Sequence, residues 1–248
     1  MKKYLKIFLN KIGLYTKNQT LIKKKNYFNF LNGVLFSLIK RKQKINIVQV
    51  GANDGVHGDP LYDFIKKYYQ RTNLIAIEPQ LKAFNELKKN YQSINNVSFF
   101  NGCVGDGNEH IFYSLNDNFK VLTGKKDIKF DGVSSLMKEN LVKRLSLYNL
   151  DDFDKYIDKT RVRSYLLSNI IKSFNYDPKE IDFLQIDAEG YDDQIIYNSE
   201  IKVNKFKFIN YEFKNLNEEK IKKLHEYLRN SGYEILRWSK SDEIAIRQ

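Results

Sequence analysis

Five short apolar runs, set apart by helix-patterned segments, decide what this 248-residue chain can become. The first, INIVQV (Ile45–Val50), is apolar almost without interruption, as a strand buried on both faces should be. Leu74–Ile77, Val97–Val104, Ile181–Ile186 and Phe206–Phe213 repeat the signal. Leu61–Gln70 (LYDFIKKYYQ), Lys82–Tyr91 and Glu218–Ser231 carry helical spacing, the last closed by Gly232. Tyr233–Trp238 and Glu243–Ile246 read as a closing hairpin. Strands alternating with helices predict an α/β, doubly wound, mostly parallel sheet, with the hairpin added antiparallel at one side. Between residues 107 and 165 the rhythm is lost over a stretch too long for a plain connection. A functional segment or cap is expected there.

The strand ends carry the chemistry, because ligands of a doubly wound sheet bind beyond the carboxyl ends of its strands. The first run ends in Gly51-Ala-Asn53-Asp54-Gly55. Gly51 and Gly55 allow backbone to approach a ligand, amides before the next helix suit a carboxylate or phosphate, and Asp54 can accept from an ammonium group. A plain tight turn is the competing reading. The spacing from Gly51 is G-x-x-x-G-x-x-G, so the dinucleotide fingerprint is not met. The second run ends in Glu78, which can accept from both hydroxyls of a ribose; nicotinamide and S-adenosylmethionine proteins share that device. Cys103 and Val104 end the third run, where an adenine ring would be flanked, and Cys103 reads better as a packing residue than as a nucleophile. The fourth ends in Asp187-Ala-Glu189-Gly190 and the fifth in Glu212. These three carboxylates suit a general base, a metal ligand or an acceptor of substrate hydrogen bonds; helix capping is the alternative for the fourth-strand pair.

Charge is uneven. Of 42 Lys and Arg, twelve lie in residues 1–44, which hold no Asp or Glu; the remainder carries 30 of each sign. The net charge of +12 therefore belongs to an N-terminal arm, and the basic balance says little about nucleic acid. In MKKYLKIFLNKIG, Tyr4, Leu5, Phe8, Leu9 and Ile12 share one helical face, with Lys2, Lys3 and Lys6 largely on the other. Such a helix fits an anionic membrane surface, or packs on the body or on a second subunit. One cysteine excludes an internal disulfide, and three histidines make a structural zinc site a poor fit. No apolar run is long enough to span a membrane, and the lysine-broken N-terminus is a poor signal peptide. A cytoplasmic location is expected, with the inner membrane surface as a peripheral site.

In this order the motifs resemble those of the FkbM-type methyltransferases, of the class I S-adenosylmethionine-dependent fold. VGANDG (Val50–Gly55) resembles the first motif, followed by GVHGDPL as in one subgroup, and IAIEP (Ile75–Pro79) the second. IDFLQIDAEGYD (Ile181–Asp192) resembles the most specific signature, and KTRVRSYLLSNII the segment leading into it. FINYEFKNL and SGYEILRW…SDEIAI resemble the fifth strand and closing hairpin. The resemblance covers about Ile45 to Gln248. It implies a Rossmann-like methyltransferase domain over 45–248, a helical arm over 1–44, and acceptor selection within 107–165, of which residues 107–160 match poorly except at GVSSL (Gly132–Leu136). Subgroup members often carry E-x-x-H-L where this chain has Asn215.

By that resemblance Gly51, Asn53, Asp54 and Gly55 surround the methionine part of the cofactor, Glu78 the ribose, and Cys103 and Val104 the adenine. Asp187 and Glu189 face the methyl group and acceptor. The implied reaction is O-methylation of a small acceptor, foremost a nucleotide-activated or lipid-linked sugar of a bacterial surface or capsular polysaccharide. A phosphate-containing or natural-product precursor is the nearest alternative. The base is expected among Asp187, Glu189, Glu212 and His57, with Mg²⁺ as a candidate cofactor on the three carboxylates. An NAD-dependent oxidoreductase would need the missing GxGxxG. Base-amino methylation of nucleic acid would need adjacent prolines, absent here since Pro occurs only at 60, 79 and 178; ribose methylation of RNA ranks below the sugar reading. A homo-oligomer is a candidate assembly.

Overall fold

Strand β1 (Ile45–Val50) shows why the chain folds in layers: its side chains alternate between two cores. Ile45 and Ile47 enter one core and Val48 and Val50 the other. The computed structural model describes residues 30–122, 134–148, 150 and 152–248. The amphipathic pattern of the first thirteen residues lies outside them. Helix α1 (Phe30–Arg41) is the described part of the arm, and Leu31, Val34, Leu35, Leu38 and Ile39 bury one face of it against β1. Among the described residues, no helix is long and apolar enough to cross a membrane.

The chain continues through α2 (Tyr62–Tyr68), β2 (Thr72–Ile77), α3 (Leu81–Asn90), β3 (Val97–Phe100) and β4 (Cys103–Val104). The departure from the alternating rhythm comprises β5 (Glu109–Leu115), α4 (Asp117–Leu122), β6 (Ser134–Ser135), α5 (Lys138–Leu145) and β7 (Ile157–Tyr165). Regular alternation resumes with α6 (Leu167–Ser173), β8 (Phe183–Ile186), α7 (Asp192–Asn198), α8 (Ile201–Asn204), β9 (Phe208–Glu212) and α9 (Glu218–Asn230). The hairpin β10 (Tyr233–Arg237) and β11 (Asp242–Arg247) closes the chain.

Seven described strands form the main sheet in the order β10-β11-β9-β8-β1-β2-β3. The five from β9 to β3 are parallel, and β11 enters antiparallel to β9. Helices α6, α7 and α9 cover the face toward which Val48, Leu184 and Ile209 point. Helices α1, α2 and α3 cover the other. Asp182, 1% exposed, anchors the opposite end of the sheet by accepting from Lys42 Nζ (2.7 and 2.9 Å), Lys207 Nζ (2.7 Å) and the Asn46 amide (3.1 Å).

The third apolar run departs from expectation: it is two strands in two sheets. β3 stops at Phe100, and Cys103 and Val104 pair instead with Ser164 and Tyr165. The Asn101 side chain drives the exit, donating to the carbonyls of Glu78 (2.8 Å) and Pro79 (3.1 Å). Beyond it β5 pairs antiparallel with β6 and β7, over a small core of Leu115, Phe119, Leu141, Leu145 and Ile157.

Candidate active site

A cleft opens over the carboxyl ends of β1, β2 and β8. Gly51, Asn53, Glu78, Cys103, Val104, Asp187 and Glu189 all line it. Tyr191 and Ile195 wall one side, and Phe112 with Ser134–Leu136 of the insertion faces the strand ends.

Backbone builds the sheet side. The amides of Gly51 and Ala52 both donate to the Ile77 carbonyl, and that of Asp187 to Val50, all at 3.0 Å. Gly51 has φ +76°, and a Cβ there would stand 1.9 Å from the Asp187 carbonyl oxygen. Its lack of a side chain thus lets two strand ends meet. Glu78, 5% exposed, accepts from the amides of Asn53 and Gln80, both at 2.8 Å. Burial raises its pKa to about 7 against the pull of those amides. Cys103 is buried, and burial together with the Glu78 charge pushes its thiol up to about 12, which fits packing rather than attack.

The loop after Gly51 is largely satisfied within itself. The amide of Gly55 donates to Ala52, and those of Val56 and His57 donate to Asp54. Asp54 also pairs with the His57 imidazole at Nδ1. Burial alone would raise the Asp54 pKa, but these hydrogen bonds bring it below the ordinary value. Asp54, Gly55 and His57 do not line the cleft: Gly55 is buried against α3, and the His57 side chain is 55% exposed beside Asp54. The structure therefore places the His57 imidazole outside the cleft lining.

The three carboxylates take distinct positions. Asp187 is exposed to the cleft, and its carboxylate has no hydrogen-bond partner among the described residues. Burial among protein atoms and the charges of Glu189, Asp192, Glu212 and Asp242 push its pKa well up. Glu189 instead joins the insertion to the sheet. Its oxygens accept from Arg144 Nη2 (2.5 and 2.6 Å) and Asn215 Nδ2 (2.9 Å), and its carbonyl from Ser135 Oγ (2.9 Å) and Asn140 Nδ2 (2.6 Å). These partners hold it at φ +50°. Gly190 leaves the space that Asn140 fills, since a Cβ would lie 1.9 Å from Asn140 Nδ2. Glu212 stands outside the lining and accepts from Asn215 Nδ2 at 2.5 Å; burial and the Glu189 and Asp242 charges raise its pKa to about 7.

With Glu189 and Glu212 so engaged, Asp187, Glu189 and Glu212 do not fit Mg²⁺: among the described residues, no three His, Cys, Asp or Glu side chains are grouped to hold a metal ion.

Several residues of the site escaped the sequence reading. Asp192, fully buried, accepts from the amides of Ala188 (3.3 Å), Gly190 (3.2 Å) and Glu212 (3.1 Å), and so shapes the turn after β8. Its place after Gly190-Tyr191 is the signal that could have marked it as a cap. Arg144 and Asn140 carried none, being over 40 residues from Glu189 in the unmatched segment.

Among solved structures, the chain is similar in fold to a human methyltransferase 10 domain containing protein (12% identity, 98% of this chain and 93% of that one, TM-score 0.42). It is also similar to the precorrin-6y C5,15-methyltransferase of Geobacter metallireducens (11% identity, 94% of each chain, TM-score 0.41). No curated protein matches the chain significantly. The methyltransferase FkbM domain matches residues 49–235, from within β1 to within β10, so the chain belongs to that family and is an S-adenosylmethionine-dependent methyltransferase.

Proposed function

We propose that the protein methylates a hydroxyl of a small acceptor, and that this acceptor is a sugar carried on a nucleotide or a lipid. The observation that carries the reading is Asp187, a carboxylate open to the cleft, without a partner among the described residues, and raised in pKa by its neighbours. A sugar hydroxyl is a poor nucleophile at neutral pH, and a carboxylate of raised pKa is a competent acceptor for its proton.

The cleft fits the cofactor. Glu78, fixed by two amides, keeps lone pairs for a pair of ribose hydroxyls. Pro79, Cys103 and Val104 supply an apolar slot for a flat ring. When bound, S-adenosylmethionine supplies a methyl group already activated on a sulfonium. The protein aligns the acceptor and takes its proton. Asp187 holds that proton, while Glu189, tied to Arg144 and Asn215, sets the far wall. Because the Asp187 pKa is raised, the base form gains population as pH rises, and turnover rises with it.

The test is transfer of labelled methyl to a panel of nucleotide sugars and sugar phosphates, by wild type and Asp187→Asn. Turnover should fall by about 10³-fold in the variant, with affinity for S-adenosylhomocysteine within about threefold. Comparable losses in both would remove Asp187 as the base. Transfer to none of the panel, with product binding intact, would remove the sugar acceptor.

A further inference from the structure

A second hollow runs along α9 beside the carboxyl ends of β9 and β10, toward the β10 edge of the sheet. Four basic side chains line it: Lys222, His225 and Arg229 of α9, and Arg237 of β10. The three helical residues recur at spacings of three and four and so form one stripe. Phe213 and Ile221 give the hollow an apolar part, and Glu218 stands at its border.

Two of the cations are held in place. Glu243, 2% exposed, accepts from Arg237 Nε (2.9 Å) and Nη2 (2.8 Å) and from the Tyr211 hydroxyl (2.8 Å), and meets His225 Nε2 at 2.6 Å. The Arg237 guanidinium also lies 3.9 Å from the Phe213 ring centroid. The other two are spare: the side chains of Lys222 and Arg229 make no hydrogen bond or ion pair among the described residues. The charges of Lys222, Arg229 and Arg237 thus face those of Glu218 and the buried Glu243, leaving an excess of one positive charge among the lining residues. Like charges brought together at a hollow repel unless an anion joins them. A guanidinium oriented by a buried carboxylate is prepared to receive that anion with little loss of entropy.

We propose that this hollow is an anion subsite that takes the phosphate or diphosphate group of the acceptor. The inference rests on the reading of the cleft as a sugar site. Phe213, in the hollow, directly follows Glu212, whose charge acts on Asp187, and β9 stands between β8 on the cleft side and the β10–β11 hairpin on the hollow side, so a phosphate-bearing acceptor would reach from one to the other across the end of β9. Nucleotide-borne and lipid-borne phosphate share this chemistry.

The experiment uses the full chain. Calorimetric titration with uridine diphosphate is run beside binding to phosphatidylcholine vesicles containing phosphatidic acid, with S-adenosylhomocysteine titrated separately. The Lys222→Gln/Arg229→Gln double variant should weaken diphosphate or vesicle binding at least tenfold, with S-adenosylhomocysteine affinity unchanged, which also reports an intact fold. The Lys172→Gln/Lys179→Gln control should change neither. Loss confined to the diphosphate arm identifies a nucleotide-borne phosphate, and loss confined to the vesicle arm a lipid-borne one. Absence of binding in both arms, equal binding by the double variant, or equal loss in the control overturns the subsite. Failure of S-adenosylhomocysteine to bind wild type would count against the cleft reading instead, and leave the anion arms to judge the hollow.

Discussion

The two walls of the cleft are held by different means. On the sheet side, main-chain amides join the ends of β1, β2 and β8 and fix the Glu78 carboxylate. On the insertion side, the side chains of Ser135, Asn140 and Arg144 converge on the single residue Glu189. The sheet side is continuous with two large cores, whereas the insertion rests on a cluster of five buried residues. Main-chain geometry survives most side-chain changes; a wall gripped through one residue can be loosened contact by contact.

The most severe way to break the sheet-side wall is Gly51→Ala. The added Cβ meets the Asp187 carbonyl at 1.9 Å, at a φ of +76° that Ala adopts with strain. Neither strand end can withdraw without losing its amide bonds. The expected cost is about 3 kcal/mol from strain and overlap together, or roughly 10 °C in Tm for a domain of this size. A loss under about 1 kcal/mol in denaturant titration would mean that the sheet wall yields as readily as the insertion.

The contrast also explains what could be read in advance. Ile45–Val50 was legible as a strand buried on both faces, and its two-residue repeat sends Val48 and Val50 into one core and Ile45 and Ile47 into the other. Carboxylates at strand ends were visible because their positions follow from the strands themselves. Their partners were not: nothing near Arg144 announces that it meets Glu189, and nothing in Asn215 beyond its place after β9 shows that it bridges Glu189 and Glu212. His57 sits beside the first motif, yet its three-residue spacing from Asp54 favours a pair within the loop. The run from Val97 to Val104 reads as one strand with Asn101 and Gly102 inside it, and it is the Asn101 contacts with Glu78 and Pro79 after β2 that divide it.

A pH dependence sharpens the same division, because burial raises carboxylates of the sheet-side wall: Glu78 to about 7 and Asp192 to about 8. A folded pKa above the unfolded one means that the folded protein binds more protons between the two values. The resulting stability is complete below about pH 4.5 and is lost as pH rises through about 7 to 8. For Glu78 alone, moving from pH 5.5 to 8 should lower the unfolding free energy by about 2 kcal/mol. Denaturant titrations of the ligand-free protein at those two pH values check this. Glu78→Gln should remove about that much of the pH-dependent change; an unaltered pH dependence in the variant would show that Glu78 ionises as it does in water.

The smallest effect belongs to the insertion-side wall. Arg144→Gln removes the charged donor from Glu189 but leaves Asn215 on its carboxylate and Ser135 and Asn140 on its carbonyl. The pair is partly exposed, with side chains 34% and 19% accessible, so its loss should cost about 1 kcal/mol of stability or less. Positioning should suffer more visibly. A tenfold rise in acceptor KM, or roughly 1.4 kcal/mol, is expected in initial-rate measurements, with S-adenosylhomocysteine affinity within about twofold of wild type. That pattern would show the insertion acting on the acceptor while the strand ends hold the cofactor unaided. If cofactor affinity fell in step with acceptor KM, the walls would be one mechanical unit, and Glu189 would transmit the insertion's position into β8 through the same turn that presents Asp187.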